Sequence, residues 1–499
     1  MDLTKASNGQ LTCCVNGVHL HSRYDPQKEA ARFVDSLRCD FTPSYVLVVE
    51  PALSYCTPYL KQRFPKAVLC CIRLSCEFTS SDELWQKVFY VADDGRQNNN
   101  LAEQIFEFMG EEGVCSCAFV SWKPSEKAFS WEADFAWRKI REAVQKGMSV
   151  LSTRKYFARR WIKNALRLCL FATKTALVEQ GDASVVVCAS GPSLKDSIPY
   201  LSHFRSRFFL VALSSALLPL LSAGVRPDLC VSCDGGYWAK LHLSCLSQNT
   251  IPLSLAAEGS CFAHIIEGNT VVPLIYPDGC SKTILQEMGL AGLEAVRNGT
   301  VSGTAVYLAL TLTRGDVYFC GLDLAAGKDF VHTQPNALET LASISDYRLS
   351  PTETRIVKAS LPPSNHESSP MQIYRSWFSS HTFPARLFRL GTQKPPTLGT
   401  IEGISWKDFE RRTNDFAQKR MPSFKETHSR IAADKSERKK QLAAVVERNR
   451  ANSEWIQDAL TLESTLFKRS DSEKRAEIAK KIEEEMGLFC NNVLRALGT

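Results

Sequence analysis

Residues 184–196 read SVVVCASGPSLKD. Val185, Val186 and Val187 make a short β-branched run that suits a buried strand. The chain then breaks into Ala189, Ser190, Gly191, Pro192 and Ser193 before apolar character returns at Leu194. In an open parallel sheet, ligands bind beyond the carboxyl ends of the strands, and this corner is placed there. Gly191 admits backbone conformations closed to other residues and leaves room for a ligand. Pro192 suits the first helical position, where its missing N–H is no loss. The N–H groups of the following turn, with the Ser190 and Ser193 hydroxyls, have the chemistry to hold a phosphate or a nucleotide. The competing reading is a tight strand-to-helix turn that binds nothing.

Three further stretches repeat the pattern. The run LCVSC at 229–233 ends in Asp234-Gly235-Gly236. Val301-Ser302-Gly303-Thr304 opens an apolar helix expected at 305–312. DVYFC at 316–320 runs into Gly321-Leu322-Asp323. Small or acidic residues at all four corners, on one expected sheet edge, point to a nucleotide-type site. The chain contains neither GxxxxGK[ST] nor GxGxxG, so the P-loop and the dinucleotide fingerprint are both absent.

The rest of the chain frames that site. A length of 499 residues exceeds what one hydrophobic core organises and implies about two to four domains. The 44% hydrophobic and 23% charged content is that of a soluble globular protein, and a net charge of +7 admits anionic ligands without demanding nucleic acid. Met1-Asp2-Leu3-Thr4-Lys5 is followed by polar residues and not by an apolar signal core. The 18 cysteines, many inside apolar runs, are therefore read as thiols of a reducing compartment, and a cytoplasmic protein is expected. Cys230-Val-Ser-Cys233 has CxxC spacing but no second ligand pair nearby, so it reads as strand cysteines in preference to zinc or redox. The apolar stretch 208–225 reaches the lower limit of a membrane span. Ser214-Ser215, Pro219 and Gly224 divide it, so a buried strand and a short helix are expected, with no transmembrane segment.

Alternating strand and helix signals predict a small α/β domain over 1–150, with strands at 45–49, 67–72 and 116–120. A long helix is expected at 154–179. Stronger alternation follows, with strands expected at 184–188, 208–212, 229–233, 251–255, 271–275 and 316–320. Their near-continuous apolar character predicts a central parallel-sheet domain over 151–405, covered on both faces. The polar, proline-bearing stretch 349–370 reads as a mobile loop. From about 414 the chain is charged and no strand is expected. Ile478, Ile482, Met486, Phe489, Val493 and Leu497 recur at helical spacing, and an α-helical carboxy-terminal domain is predicted over 406–499.

In their order and spacing, SGPSLKD, PDLCVSCDGG, GTVSGTAVYLAL and DVYFCGLDLA resemble the motility-associated factor (Maf) glycosyltransferases of flagellated bacteria. The central domain of that family is related to the 6-hydroxymethylpterin diphosphokinase MptE-like domain. NGVHLHSRYDPQKEA and MQIYRSWF extend the likeness over roughly 15–405. More distantly, Gly191 to Leu194, Ser302-Gly303 and Gly321-Leu322-Asp323 are similar to the GPSL, SG and GID elements of bacterial sialyltransferases that use CMP-sialic acid. The resemblance implies a Rossmann-like central domain of GT-A/sialyltransferase type. It also implies transfer of a nonulosonic acid, such as pseudaminic or legionaminic acid, from a CMP-activated donor to Ser or Thr of flagellin. By the same resemblance Ser190, Gly191, Pro192, Ser193, Ser302, Gly303, Thr304, Gly321 and Asp323 line the nucleotide-sugar pocket, with Asp234 and Gly235 at its edge. The chain departs from the sialyltransferase pattern in carrying Ala189-Ser190 for Gly-Asn, at the contact with the base. No cofactor beyond the donor and no resident metal is implied, although Asp234 has the chemistry to hold a divalent ion.

Such a transfer needs donors for the charge on the departing nucleotide phosphate and a base for the acceptor hydroxyl. His332, in KDFVHTQ after GLDLA, is the candidate base, and Asp323 is the second catalytic candidate. His366 and His381 are rivals to His332 in the stretch that follows. Tyr374 and Arg375 are candidates to reach a phosphate or the donor carboxylate. Two readings from other classes stand beside this one: an ATP- and magnesium-dependent diphosphokinase acting on a pterin, and a non-catalytic flagellin-binding factor.

Overall fold

The computed structural model describes residues 2–93, 96–297, 300–324, 332–344, 346–351, 354, 369–391, 397–427, 434–470 and 472–498. The chain divides into two compact units, Met1–Ala158 with Ile456–Leu488, and Arg159–Trp455 with Phe489–Thr499. The helices Ser130–Phe171 and Ser472–Leu497 each contribute residues to both.

In the first unit an antiparallel meander, β1 (Asp2–Lys5), β2 (Leu11–Val15) and β3 (Val18–His19), precedes a parallel sheet. Its strands are β4 (Tyr45–Val49), β5 (Val68–Arg73) and β6 (Lys87–Tyr90). After the hairpin β7 (Ala92–Asp93) and β8 (Arg96–Gln97) it gains β9 (Cys117–Ser121), giving the order β6-β5-β4-β9. Side chains alternate across it. Leu47, Val49, Cys70 and Ile72 join one core, and Val46, Val48, Leu69 and Cys71 join the other. A buried ion pair closes its carboxyl edge. Arg73 Nη1 donates to Glu50 Oε1 at 2.9 Å and Arg73 Nε to Asp82 Oδ1 at 2.7 Å, while the amides of Leu74 and Ser75 donate to Glu50 Oε2. Arg73 also donates to the carbonyl of Ala52. Glu50, Ala52 and Ser54 all adopt positive φ (41°, 47° and 61°), a conformation that costs about 1 kcal/mol or more per non-glycine residue. The guanidinium holds that strained turn in place.

The second unit is built on nine parallel strands. In chain order they are β11 (Val185–Cys188), β12 (Phe209–Leu213), β13 (Leu229–Ser232), β14 (Leu253–Ala256), β15 (Val271–Ile275), β16 (Leu293–Glu294), β17 (Val317–Cys320), β18 (Leu387–Leu390) and β19 (Glu402–Ile404). Their spatial order is β16-β15-β14-β13-β12-β11-β17-β18-β19. The chain therefore winds outward from β11 to β16, returns to lay β17 against the other side of β11, and winds outward again. Val185 pairs with both Phe209 and Val317, and Cys188 with both Ala212 and Cys320. The direction of winding reverses between β11 and β17, which is the topological switch point of the sheet. Both strands are buried along their whole length, as their unbroken apolar character requires. The apolar helix Val301–Leu312 packs against β11, β12 and β13.

Several expectations are met and others are corrected. The 208–225 stretch is β12 followed by the helix Ser214–Ser222, and no helix among the described residues is long and apolar enough to cross a membrane. Pro192 is not at the first helical position. It precedes the Ser193 cap of the helix Leu194–His203, because the turn is closed by Leu194 N–H donating to Gly191 O. The helix expected at 154–179 begins much earlier and is Ser130–Phe171. Residues Ala176–Glu179 instead form β10, paired antiparallel with β20 (Ser423–Glu426) in the segment expected to hold no strand. A four-residue exposed ribbon strand such as SFKE has no apolar alternation to betray it. In Ser472–Leu497, Ile482, Met486, Phe489, Val493 and Leu497 are buried. Most of 349–370 lies outside the described residues.

Replacing Arg73 with Met leaves the Glu50 carboxylate buried without its partner. The expected loss is about 3–5 kcal/mol of stability of the first unit, read by urea denaturation, with much of it recovered in the double variant Glu50→Leu/Arg73→Met.

Candidate functional site at the sheet switch point

The corner after β11 and the corner after β17 are clasped together. Asp323, 2% exposed, accepts the Ser193 amide on Oδ2 at 2.7 Å and the Ser193 hydroxyl on Oδ1. Gly191 N–H donates to Gly321 O at 2.9 Å, and Ala189 N–H to Cys320 O at 2.9 Å. A Cβ on Gly191 would stand 2.4 Å from Gly321 O and 2.7 Å from Asp323 Oδ2. One on Gly321, at φ +67°, would stand 2.3 Å from Ala189 O. Both glycines are thus required by the close approach of the two corners to each other. Gly191 is not at positive φ, and the room it leaves is filled by Asp323, not by a ligand. The amides expected to be free for a phosphate are likewise engaged, Ser193 with Asp323 and Leu194 with Gly191.

Free donors lie on the neighbouring helix. Thr300 caps Val301–Leu312 by accepting from Gly303 N–H at 2.7 Å, and among the described residues the Val301 and Ser302 amides have no partner. Thr304 is buried and its hydroxyl donates to Thr300 O at 3.4 Å, within its own helix start, and burial pushes the nearby Cys233 thiol up to about 12. Cys230 is buried within β13, and all 18 cysteines are free thiols. Among the described residues no group of three or more His, Cys, Asp or Glu is arranged to hold a metal.

The loop after β17 returns over this rim. Thr333 donates its N–H to Ser190 O at 2.8 Å and its hydroxyl to Gly191 O at 2.6 Å. Asn336, fully buried, caps the helix Ala337–Ser343 through Leu338 N–H. His332 is thereby hung beside the SGPS corner. Its ring lies 6.4 Å from that of His242, centroid to centroid. Burial pushes His332 below the ordinary imidazole range. Burial and then the neighbouring His332 push His242 down to about 4, with Asp234 pulling the other way.

Asp234 is exposed at the end of β13. Its carboxylate accepts Gly236 N–H at 2.7 Å and its field reaches both His242 and Tyr374. Burial and then Asp234 raise the Tyr374 phenol. Arg375 donates to Leu324 O, fixing its helix, Ser369–Ser380, to the β17 corner. Gly235 is pressed against the Trp161 indole, which a Cβ would meet at 2.3 Å, and Asn164 donates to the carbonyl of Glu258 at 2.8 Å. Hydrogen bonds therefore link Ser190, Gly191, Ser193, Gly321 and Asp323 with Thr333, next to His332, while Asp234 reaches His242 and Tyr374 through its field.

Other expected residues fall elsewhere. His381 is held by Trp377 O at 2.8 Å and lies tilted against the Trp377 ring at 4.4 Å, which makes it part of its own helix end. His366 lies outside the described residues. Sequence reading missed His242, six residues past the Asp234-Gly235-Gly236 corner in a stretch with no motif, and the ion pair of Glu258 with Arg297. Arg297 makes two bonds to Glu258, 2.6 and 2.8 Å, and one to Asp278. Glu258 follows β14 in the stretch AAEGS, the same acid-and-glycine signal as at the other strand ends, and could have been found by it. Two surface cavities, of about 430 Å³ at the amino edge by Arg205 and Arg226 and about 770 Å³ by Tyr200 and Trp406, are lined by other residues than these.

With this geometry in hand, comparison with known proteins is informative. A family model described as 6-hydroxymethylpterin diphosphokinase MptE-like matches residues 159–329, a span that holds all four glycine-bearing corners. An uncharacterized protein of Treponema pallidum (strain Nichols) is 29% identical over 331 residues, 66% of this chain and 71% of its own length. The chain shares the fold of the Maf glycosyltransferase from Magnetospirillum magneticum AMB-1. The TM-score is 0.54 at 12% identity, covering 100% of this chain and 92% of that one. The architecture is thus mixed α/β, with a large Rossmann-like parallel sheet and carboxy-terminal helices.

His242 gives a test of the rim that does not depend on any substrate. Above pH 6.5 it is neutral folded or unfolded. As pH falls from 6.5 toward about 4 the unfolded chain takes the proton first, so this residue's contribution to stability is lost over that window. The fall in Tm between pH 7 and 4.5 is expected to be smaller in His242→Phe than in the wild type. Equal slopes would contradict the placement.

Proposed function

We propose that this chain is a glycosyltransferase that moves a nonulosonic acid from a CMP-activated donor to a Ser or Thr hydroxyl of flagellin. The observation that supports it most is the suspension of a histidine, depressed below its ordinary range, beside a clasped switch-point corner and the unpartnered amides of a helix start. In this reading the Val301 and Ser302 amides and the Ser302 hydroxyl receive the donor phosphate and stabilise the charge that grows on it as the bond to the anomeric carbon breaks. His332 takes the acceptor proton as the new bond from hydroxyl oxygen to anomeric carbon forms, and the departing CMP keeps the electron pair of the broken bond. Asp323 acts through Ser193, as a positioning residue that holds the corner closed. Tyr374 and Arg375 face the donor from the helix Ser369–Ser380. Ser190, Asp234 and Gly235 shape the entrance.

The family match over 159–329 favours one second reading, an ATP-dependent diphosphokinase. Thermal shift separates the two: CMP is expected to raise Tm, whereas stabilisation by ATP with magnesium alone would support the kinase, and silence toward both would support a non-catalytic flagellin-binding factor. His332→Ala is expected to keep CMP stabilisation while lowering transfer about 10²–10⁴-fold, and full retained transfer would remove it as the base. Because His332 is depressed, transfer should be level above pH 6.5 and decline only at lower pH, where the imidazole gains its proton. Asp323→Ala strands the Ser193 donors and is expected to cost about 1–3 kcal/mol of stability together with CMP affinity. The mass of flagellin from cells with and without the gene reads the acceptor directly.

A further inference from the structure

The loop that follows Asp234-Gly235-Gly236 carries an aromatic shelf that the transfer chemistry leaves unused. Tyr237 and Trp238 are 52% and 58% exposed, with ring centroids 4.9 Å apart and planes at 90°. The Lys240 ammonium lies 3.8 Å from the Tyr237 centroid and 4.9 Å from that of Phe262, which in turn stacks on His264 at 5.5 Å. Among the described residues no carboxylate pairs with Lys240. The charge is held in position by rings and left uncompensated.

Adjacent exposed Tyr and Trp side chains present a large apolar area that a soluble surface ordinarily covers. They are also the residues that anchor polypeptide contacts, since they bring much contact area with few rotatable bonds. Their place in the fold is specific. His242, two residues beyond Lys240 in the same turn Ala239–Ser247, has its ring 6.4 Å from that of His332, so the shelf borders the proposed base. The donor grip lies on other elements, at the β11–β17 corner and the start of Val301–Leu312.

We infer that Tyr237, Trp238 and Lys240 form the docking surface for the acceptor polypeptide, and that Lys240 selects a segment with an acidic side chain near the modified hydroxyl. This rests on the transferase reading for its site but not for its readout. Purified flagellin from the same organism is the probe, titrated against immobilised full-length protein. Tyr237→Ala/Trp238→Ala is expected to weaken flagellin binding at least about tenfold while CMP still raises Tm as in the wild type. Lys240→Glu should weaken it more at low salt than at high salt. Tyr237→Phe/Trp238→Phe, which keeps the rings, controls for folding and should bind as the wild type does. Unchanged affinity in the alanine variant overturns the inference. So does a parallel loss of CMP stabilisation, which would assign the shelf to the donor, or displacement of flagellin by free glycans, which would make the acceptor a saccharide. A wild type that ignores CMP yet binds flagellin through the shelf sinks the transferase reading and leaves the docking surface standing.

Discussion

The Asp323 carboxylate receives two bonds from Ser193 across the one place where the nine-stranded sheet changes its direction of winding. Elsewhere, at the ends of β12, β14 and β15, the chain turns into a helix before the next strand. β11 and β17 are neighbours in the sheet but far apart in the chain, and their two corners meet at the switch point. A buried carboxylate there is tolerable only when its lone pairs are met, and a backbone amide and a hydroxyl from the opposite corner meet them. The glycines at 191 and 321 follow from the same closeness, since each would put a side-chain carbon within 2.4 Å of a carbonyl oxygen of the other corner.

Closing the corner has consequences further along the chain. With the Gly191 and Ser190 carbonyls fixed, Thr333 can anchor to both and bring His332 over the rim. Two imidazoles then lie side by side in a partly desolvated place, where a proton on one disfavours a proton on the other. The amides of the SGPS turn are consumed by this architecture, which moves the available anion-binding donors to the start of Val301–Leu312.

Much of the fold was legible as pattern. The apolar runs that became β4, β5, β11, β12, β13, β15 and β17 announce strands because both faces of a parallel strand are covered. The short strands β16, β18, β19 and β20 were not read, because two to four residues carry too little periodicity to distinguish them from loop. Asp234, Gly235, Ser302, Gly303 and Asp323 were singled out because small and acidic residues after apolar runs are unusual. Glu258 carries the same signal and was passed over, and its bidentate bond to Arg297 spans 39 residues.

By itself the sequence determined where the chain leaves its core: strand, small residues, helix, repeated at four corners. That much is local, since propensity and burial act over a few residues. Whether those corners grip a ligand or one another is a question of distances between atoms remote in the chain, and only the tertiary structure answers it. Gly191 meets Asp323, His332 meets His242, and the Ser193 amide is spent on a carboxylate 130 residues away. The physical reason is that a hydrogen bond is decided within about 3 Å, whereas the pattern of residues along a chain specifies only which groups are available to make one.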